Sequence, residues 1–324
     1  MIRQRLPAWW TAVAVTLVCW TWIAVGAEPA AAGPFDLSVL VTNPQDFTAG
    51  QLDILQDAID SAELLWEGIV IGYQPGISLP GIMIGVTGKE SGLTGLASAS
   101  VVGSTEQGGY RLTTAGSIAV HIGIIDEFAD YAGTGVNFMD EIVAHEIGHV
   151  LGIGTQWLQN GVYTWNSGEY TGPFGVAAYR AEFDATADFV PVELAGSGAT
   201  ANKHWDQIMR SSTQEGDPAD PYRLSPLLGI TDAQGRDLGL ELMTGAIDPD
   251  YGEPFLSRTT IQSLRDLGFV VVPEPGTAAL LLLGLPTLMA FFRGRSKKGS
   301  GTKSRNGPSG ASHFWFLTPF SDQP

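Results

Sequence analysis

Residues 145–152 read His-Glu-Ile-Gly-His-Val-Leu-Gly, and this run restricts the fold more than any other part of the chain. On a helix, positions i and i+4 share a face with their Cβ atoms about 5–6 Å apart. His145 and His149 can therefore turn both imidazoles onto one ion at about 2.0–2.1 Å each. Glu146 projects in a different direction and can take a proton from a water polarised by that ion. The bland alternative is a surface helix that happens to carry two histidines. The neighbouring residues argue against it. Ile142, Val143, Ile147, Val150 and Leu151 predict a helix buried against a sheet. Gly152 supplies the positive φ that a sharp exit requires, and Gly154 continues the turn. Asn137 is expected to cap the start, with Asp140 and Glu141 near the positive end of the helix dipole.

A catalytic zinc needs a third protein ligand and an open position for water. The one cysteine, Cys19, lies in an N-terminal apolar run, so the body has no thiolate site, disulfide or cysteine nucleophile. Five histidines remain to choose from: His121, His145, His149, His204 and His313. His313 falls beyond a second apolar run near the C-terminus. His121 sits in an alternating stretch, Ser117 to Ile125, that reads as a strand. There it is either structural or a candidate lining residue of a cleft. His204, followed by Trp205 and Asp206, is the expected third ligand.

The run HExxHxxG resembles the metzincin zinc endopeptidases. The position where most of them carry a third histidine is Thr155 here, but His204 lies 52 residues beyond Gly152. That spacing resembles the leishmanolysin-like metallopeptidases, which insert a segment before the third histidine. The run His145 to Trp157, the pair His204-Trp205, Glu241 to Gly245, Leu256 to Ile261 and Asp266 to Phe269 look like bacterial members. The resemblance covers about residues 35–272. It implies an α+β metzincin-like fold: a twisted mixed sheet with a backing helix and an active-site helix above, and a loop-rich lower half with a Met-turn and a C-terminal helix. It also implies zinc as cofactor, His145, His149 and His204 as ligands, Glu146 as general base, and Met243 as the Met-turn residue packed beneath the metal. Gly245 stands two residues after Met243, so no tyrosine switch ligand is expected there. Met243 follows His204 by 39 residues, a wide interval that places an insertion at Ser211 to Gly239. Asp217, Asp220 and Asp232 in it could hold calcium, the competing reading being a solvated loop.

The remaining pattern agrees with a sheet and two helices. Asp36 to Val41, Ile82 to Val86, Leu96 to Val102 and Ser117 to Ile125 are expected strands. Ala49 to Trp66 carries a helical stripe at Leu52, Leu55, Ile59, Ala62 and Leu65-Trp66. Short helices are expected at Gly175 to Phe183 and Arg258 to Leu267. The strand at Ser117 to Ile125 is expected at a sheet edge, where an extended peptide could pair with it.

Both ends of the chain read as addresses. Arg3 and Arg5 precede an apolar stretch from Ala8 to Val25, and Val25-Gly26-Ala27 is a small-residue cleavage site. Residues 1–27 are thus an expected signal peptide, with an uncleaved anchor as the alternative. Val272-Pro273-Glu274-Pro275 precedes an uncharged run at 276–292 and a basic cluster at Arg293, Arg295, Lys297 and Lys298. The run is 17 residues long, near the lower limit for a membrane span. This order, over 272–298, resembles the PEP-CTERM sorting signal of Gram-negative bacteria. The resemblance implies an exosortase-type enzyme acting at Val272–Pro275, passage through the inner membrane by way of residues 276–292, and a transiently anchored protein that ends outside the cell or in its envelope. Residues 299–324 form a low-complexity tail with no assigned role.

Between these addresses, residues 33–272 are the expected catalytic domain. From Gly33 to Pro275 there are 32 acidic and 9 basic residues, a balance that argues against nucleic acid, whose phosphates need Lys and Arg. The expected activity is hydrolysis of peptide bonds in a protein or peptide substrate by a secreted zinc endopeptidase. The alternatives are a catalytically silent binding protein of the extracellular matrix on the same scaffold, and a zinc hydrolase with another substrate.

Overall fold

Buried and exposed side chains alternate along Leu37–Val41, which forms strand β1. Thr48 then opens helix α1, Ala49–Ile69, through a reciprocal cap with Gln51. The buried stripe of α1 is Leu55, Ala58, Ile59, Ala62, Trp66 and Ile69, whereas Leu65, expected on that stripe, is 38% exposed. Strands β2 (Val70–Tyr73), β3 (Ile82–Lys89), β4 (Ala97–Gln107) and β5 (Tyr110–His121) follow. The computed structural model describes residues 35–206 apart from 91, 94 and 195–199, residues 231–273 apart from 248, 250 and 251, and the pair 315–316. The expected signal peptide, the apolar run 276–292, His313, and Asp217 and Asp220 lie outside the described residues.

The main sheet has the order β1-β3-β5-β4, with β1, β3 and β5 parallel and β4 antiparallel to β5. It is a mixed sheet in an α+β arrangement. Two expectations about Ser117–Ile125 are corrected here. The strand starts earlier, at Tyr110, and stops at His121, because the His121 ring accepts the Gly123 N–H and turns the chain into a 3-10 turn and then helix α2, Ile125–Ala129. Nor is it an edge. Gly108 and Gly109, both at positive φ, close a tight hairpin that folds β4 outside β5, and β5 lies between β3 and β4.

The two edges of the sheet differ. Backbone N–H groups of Leu37 and Val39 on β1 are capped by the carboxylates of Glu67 and Glu63 from α1, each at 2.8 Å. The outer side of β4 has no strand partner among the described residues.

Helix α3, Met139–Leu151, packs against α1 and against β4 and β5. The Trp66 indole bonds the Ala144 carbonyl at 2.9 Å and fixes α3 to α1. Below it, strands β6 (Glu169–Tyr170) and β7 (Val190–Pro191) pair around helix α4, Pro173–Glu182. Strand β8, Ala246–Ile247, pairs antiparallel with β10, Trp315–Phe316. Ser257 caps helix α5, Arg258–Ser263, which continues as a 3-10 turn to Leu267. Strand β9, Phe269–Val271, returns to pair with β2, and the Val272 N–H bonds the Ile69 carbonyl at 2.8 Å. No helix among the described residues is long and apolar enough to cross a membrane.

Candidate metal centre

Helix α3 starts one residue later than a cap at Asn137 implies. The Asn137 carboxamide still takes the Met139 N–H at 2.9 Å, while Phe138 occupies the N-cap position without a side-chain bond. Every residue from Ile142 to Leu151 is buried. The helix ends at Gly152 with φ 116°, whose N–H closes onto the carbonyls of Gly148 and His149. That left-handed residue turns the chain sharply after the second histidine.

His145, His149 and His204 are fully buried and face one another. Their Nε2 atoms lie 2.9 Å (His145 to His149), 3.0 Å (His149 to His204) and 3.3 Å (His145 to His204) apart. Three nitrogens bound tetrahedrally at about 2.0–2.1 Å would be about 3.3–3.4 Å apart. The other nitrogen of each ring is engaged by a carbonyl: Leu242 for His145 at 2.6 Å, Ile153 for His149 at 2.8 Å and Thr200 for His204 at 2.8 Å. Each carbonyl requires Nδ1–H, so each Nε2 presents a lone pair to the other two. Three converging lone pairs repel, and a cation among them removes the repulsion. Burial pushes His145 down to about 4 and holds His149 and His204 well below the usual imidazole range, so all three are neutral ligands at neutral pH. The trio could hold a metal ion, and it is the one such group found among the described residues.

Glu146 is fully buried, and neither carboxylate oxygen has a hydrogen-bond partner. Desolvation pushes its pKa well above the usual carboxylate range. A buried carboxylate without a partner is costly, and this one belongs to the residue that follows His145 on α3.

Loop contacts deliver the third histidine. Trp205 stacks on Trp157 with centroids 4.6 Å apart and meets Tyr170 edge-on at 5.2 Å. The Glu193 N–H bonds the His204 carbonyl at 3.0 Å, and Glu193 also takes the Thr200 hydroxyl at 2.9 Å. Met243 is fully buried, and the Trp205 N–H bonds its carbonyl at 3.0 Å. A Cβ on Gly148 would lie 2.6 Å from the Met243 sulfur, so a side chain there would displace the thioether from its present seat.

The other candidates lie apart from the trio. His121 ends β5, and its Nδ1 accepts the Gly123 N–H at 3.1 Å. The Asp232 carboxylate is taken by the N–H groups of Gln234 and Arg236 and by the Arg236 guanidinium at 2.6 Å. Sequence reasoning did not find the three supporting carbonyls or the stack of Trp157, Tyr170 and Trp205. The aromatic enrichment after Gly152 was the available signal for the stack. The carbonyls carry no residue signature.

A profile of the PEP-CTERM protein-sorting motif matches residues 271–298. The C-terminal segment is therefore a sorting signal recognised by an exosortase-type enzyme, and it indicates export and association with the cell envelope of a Gram-negative bacterium. The match starts at Val271, the last residue of β9. No curated protein matches the chain.

Proposed function

We propose that the chain is an exported zinc endopeptidase of the metzincin type, similar to leishmanolysin. The observation that carries this reading is the convergence of three neutral imidazoles, two of them on a helix that also carries a buried, partnerless carboxylate next to His145 in the chain. His145, His149 and His204 would hold the ion, and the donor set of three histidines suits zinc. Zinc, when bound, polarises both a water and the scissile carbonyl. Glu146 would serve as the general base toward the attacking water and then as the acid toward the leaving amine. Burial raises its pKa, which makes the carboxylate a stronger proton acceptor. Met243 packs beneath the trio, and the turn at Gly152 directs the chain toward the His204 loop. The open edge of β4, which lies against α3, accepts an extended peptide by main-chain pairing, whereas the capped edge of β1 does not. Residues 1–27 direct export, and 276–292 act as a transient anchor before sorting.

The test is digestion of casein and a peptide library by the purified chain with and without a zinc chelator. Glu146→Gln is expected to keep its zinc while turnover falls by about 10²–10⁴-fold. Undiminished turnover in that variant, or in chelator, refutes the proposal.

A further inference from the structure

Glu241 is a buried carboxylate, 1% exposed, two residues before Met243. Its Oε2 accepts the Met243 N–H at 2.6 Å. Its Oε1 accepts the Ser257 N–H at 3.1 Å, the Ser257 hydroxyl at 2.8 Å and the Thr260 hydroxyl at 2.5 Å. The Met243 N–H and the Leu242 carbonyl are the two ends of one peptide group. That carbonyl receives the His145 Nδ1–H at 2.6 Å. Carboxylate, peptide and imidazole thus stand in one file, with the Glu241 side chain at one end and the His145 Nε2 at the other. Hydrogen bonds in series polarise one another, and outer partners of a ligating histidine set its tautomer and basicity. A second arm reaches the loop histidine. Thr260 Oγ1 also accepts the Trp205 indole N–H at 2.7 Å, and Trp205 directly follows His204.

We infer that Glu241 is a positioning residue of the metal centre, acting through the Leu242–Met243 peptide to fix the His145 tautomer and strengthen its Nε2 as a ligand. The inference rests on reading the trio as a metal centre. It goes beyond holding a loop in place, because the Glu241 side chain acts on one ligand through one peptide. Ser257 and Thr260 complete the coordination of Oε1 but do not lie on that file.

The experiment measures zinc and cobalt(II) affinity of the full chain by competition with a chelator, together with the visible spectrum of bound cobalt. Glu241→Gln is expected to weaken binding by about 10–100-fold and to shift the cobalt bands. Ser257→Ala, which removes a donor from Oε1 but spares the file, should lower the melting temperature and leave affinity and bands as in the wild type. Unchanged affinity in Glu241→Gln, or equal weakening in both variants, overturns the inference. Should Glu241→Gln fail to fold, the wild type carries the test by NMR. Zinc on Nε2 makes Nδ1–H a stronger donor, so the His145 Nδ1–H and Met243 amide protons should both move downfield on loading. A Met243 amide that stays in place or moves upfield overturns it. If the wild type binds neither metal, the metal-centre reading itself fails and the inference falls with it.

Discussion

The two halves of the centre are built by different means. His145 and His149 are four residues apart on α3, and helix geometry alone brings them together. His204 reaches the same point from a loop 55 residues beyond His149, held by stacked aromatics and single carbonyl contacts. The first half depends on local propensity and a buried stripe. The second depends on packing between segments far apart in sequence. The helical pair should therefore survive perturbations that release the loop histidine.

The largest expected effect sharpens that contrast. His149→Ala and His204→Ala should each weaken zinc binding by more than about 100-fold, the upper range for losing a supporting hydrogen bond. Competition with a chelator measures both. A much smaller loss for His204→Ala would leave the helical pair as the working site.

The next prediction concerns acid. Buried imidazoles with lowered pKa values bind protons less readily than they do in the unfolded chain. Below the ordinary value near 6.5 the unfolded state therefore takes up more protons, and native stability falls. The histidine contribution to the stability of the metal-free chain should be complete above about pH 6.5 and fall through about pH 4, the value to which His145 is pushed, and lower still for His149 and His204. Glu146, with its raised pKa, contributes with the opposite sign, so the slope is read in Glu146→Gln. Denaturant unfolding across this window measures the slope. Zinc should move the decline to lower pH, because it excludes the proton from Nε2.

Two smaller effects separate the halves. Gly148→Val forces a side chain toward the Met243 sulfur and should cost about 1–3 kcal/mol, read as a fall in melting temperature. Trp205→Phe keeps the stack but removes the indole bond to Thr260, and should cost about 0.5–1.5 kcal/mol. Susceptibility to limited proteolysis near His204 should rise in the second variant and not in the first. Equal cleavage in both would erase the distinction between the helix and the loop.

The same division governs what could be read from the sequence. The spacing of His145, Glu146 and His149, the turn at Gly152, the stripe of α1 and the sorting signal are local patterns, and each was legible. His204 was reached by counting histidines. Strand order was not legible, because register depends on long-range pairing. The Gly108-Gly109 pair marks a turn, but nothing local in it says that the hairpin places β5 between β3 and β4. Leu65 fell outside the buried stripe because the stripe drifts around α1 toward Ala58 and Ile69. His121 took up a backbone N–H at the end of β5, a role without a composition cue. The Glu241 network was equally silent, since it joins residues 241, 243, 257 and 260 through one peptide group and two hydroxyls.

The most direct test of the centre is zinc stoichiometry and X-ray absorption at the zinc edge, on the wild-type full chain and on His204→Ala. Three imidazoles converging on one point predict one zinc per chain, with three nitrogen neighbours at about 2.0–2.1 Å, and loss of one nitrogen or of the metal in the variant. A wild type that takes up no zinc, or a variant with the same stoichiometry and neighbour shell, would contradict it.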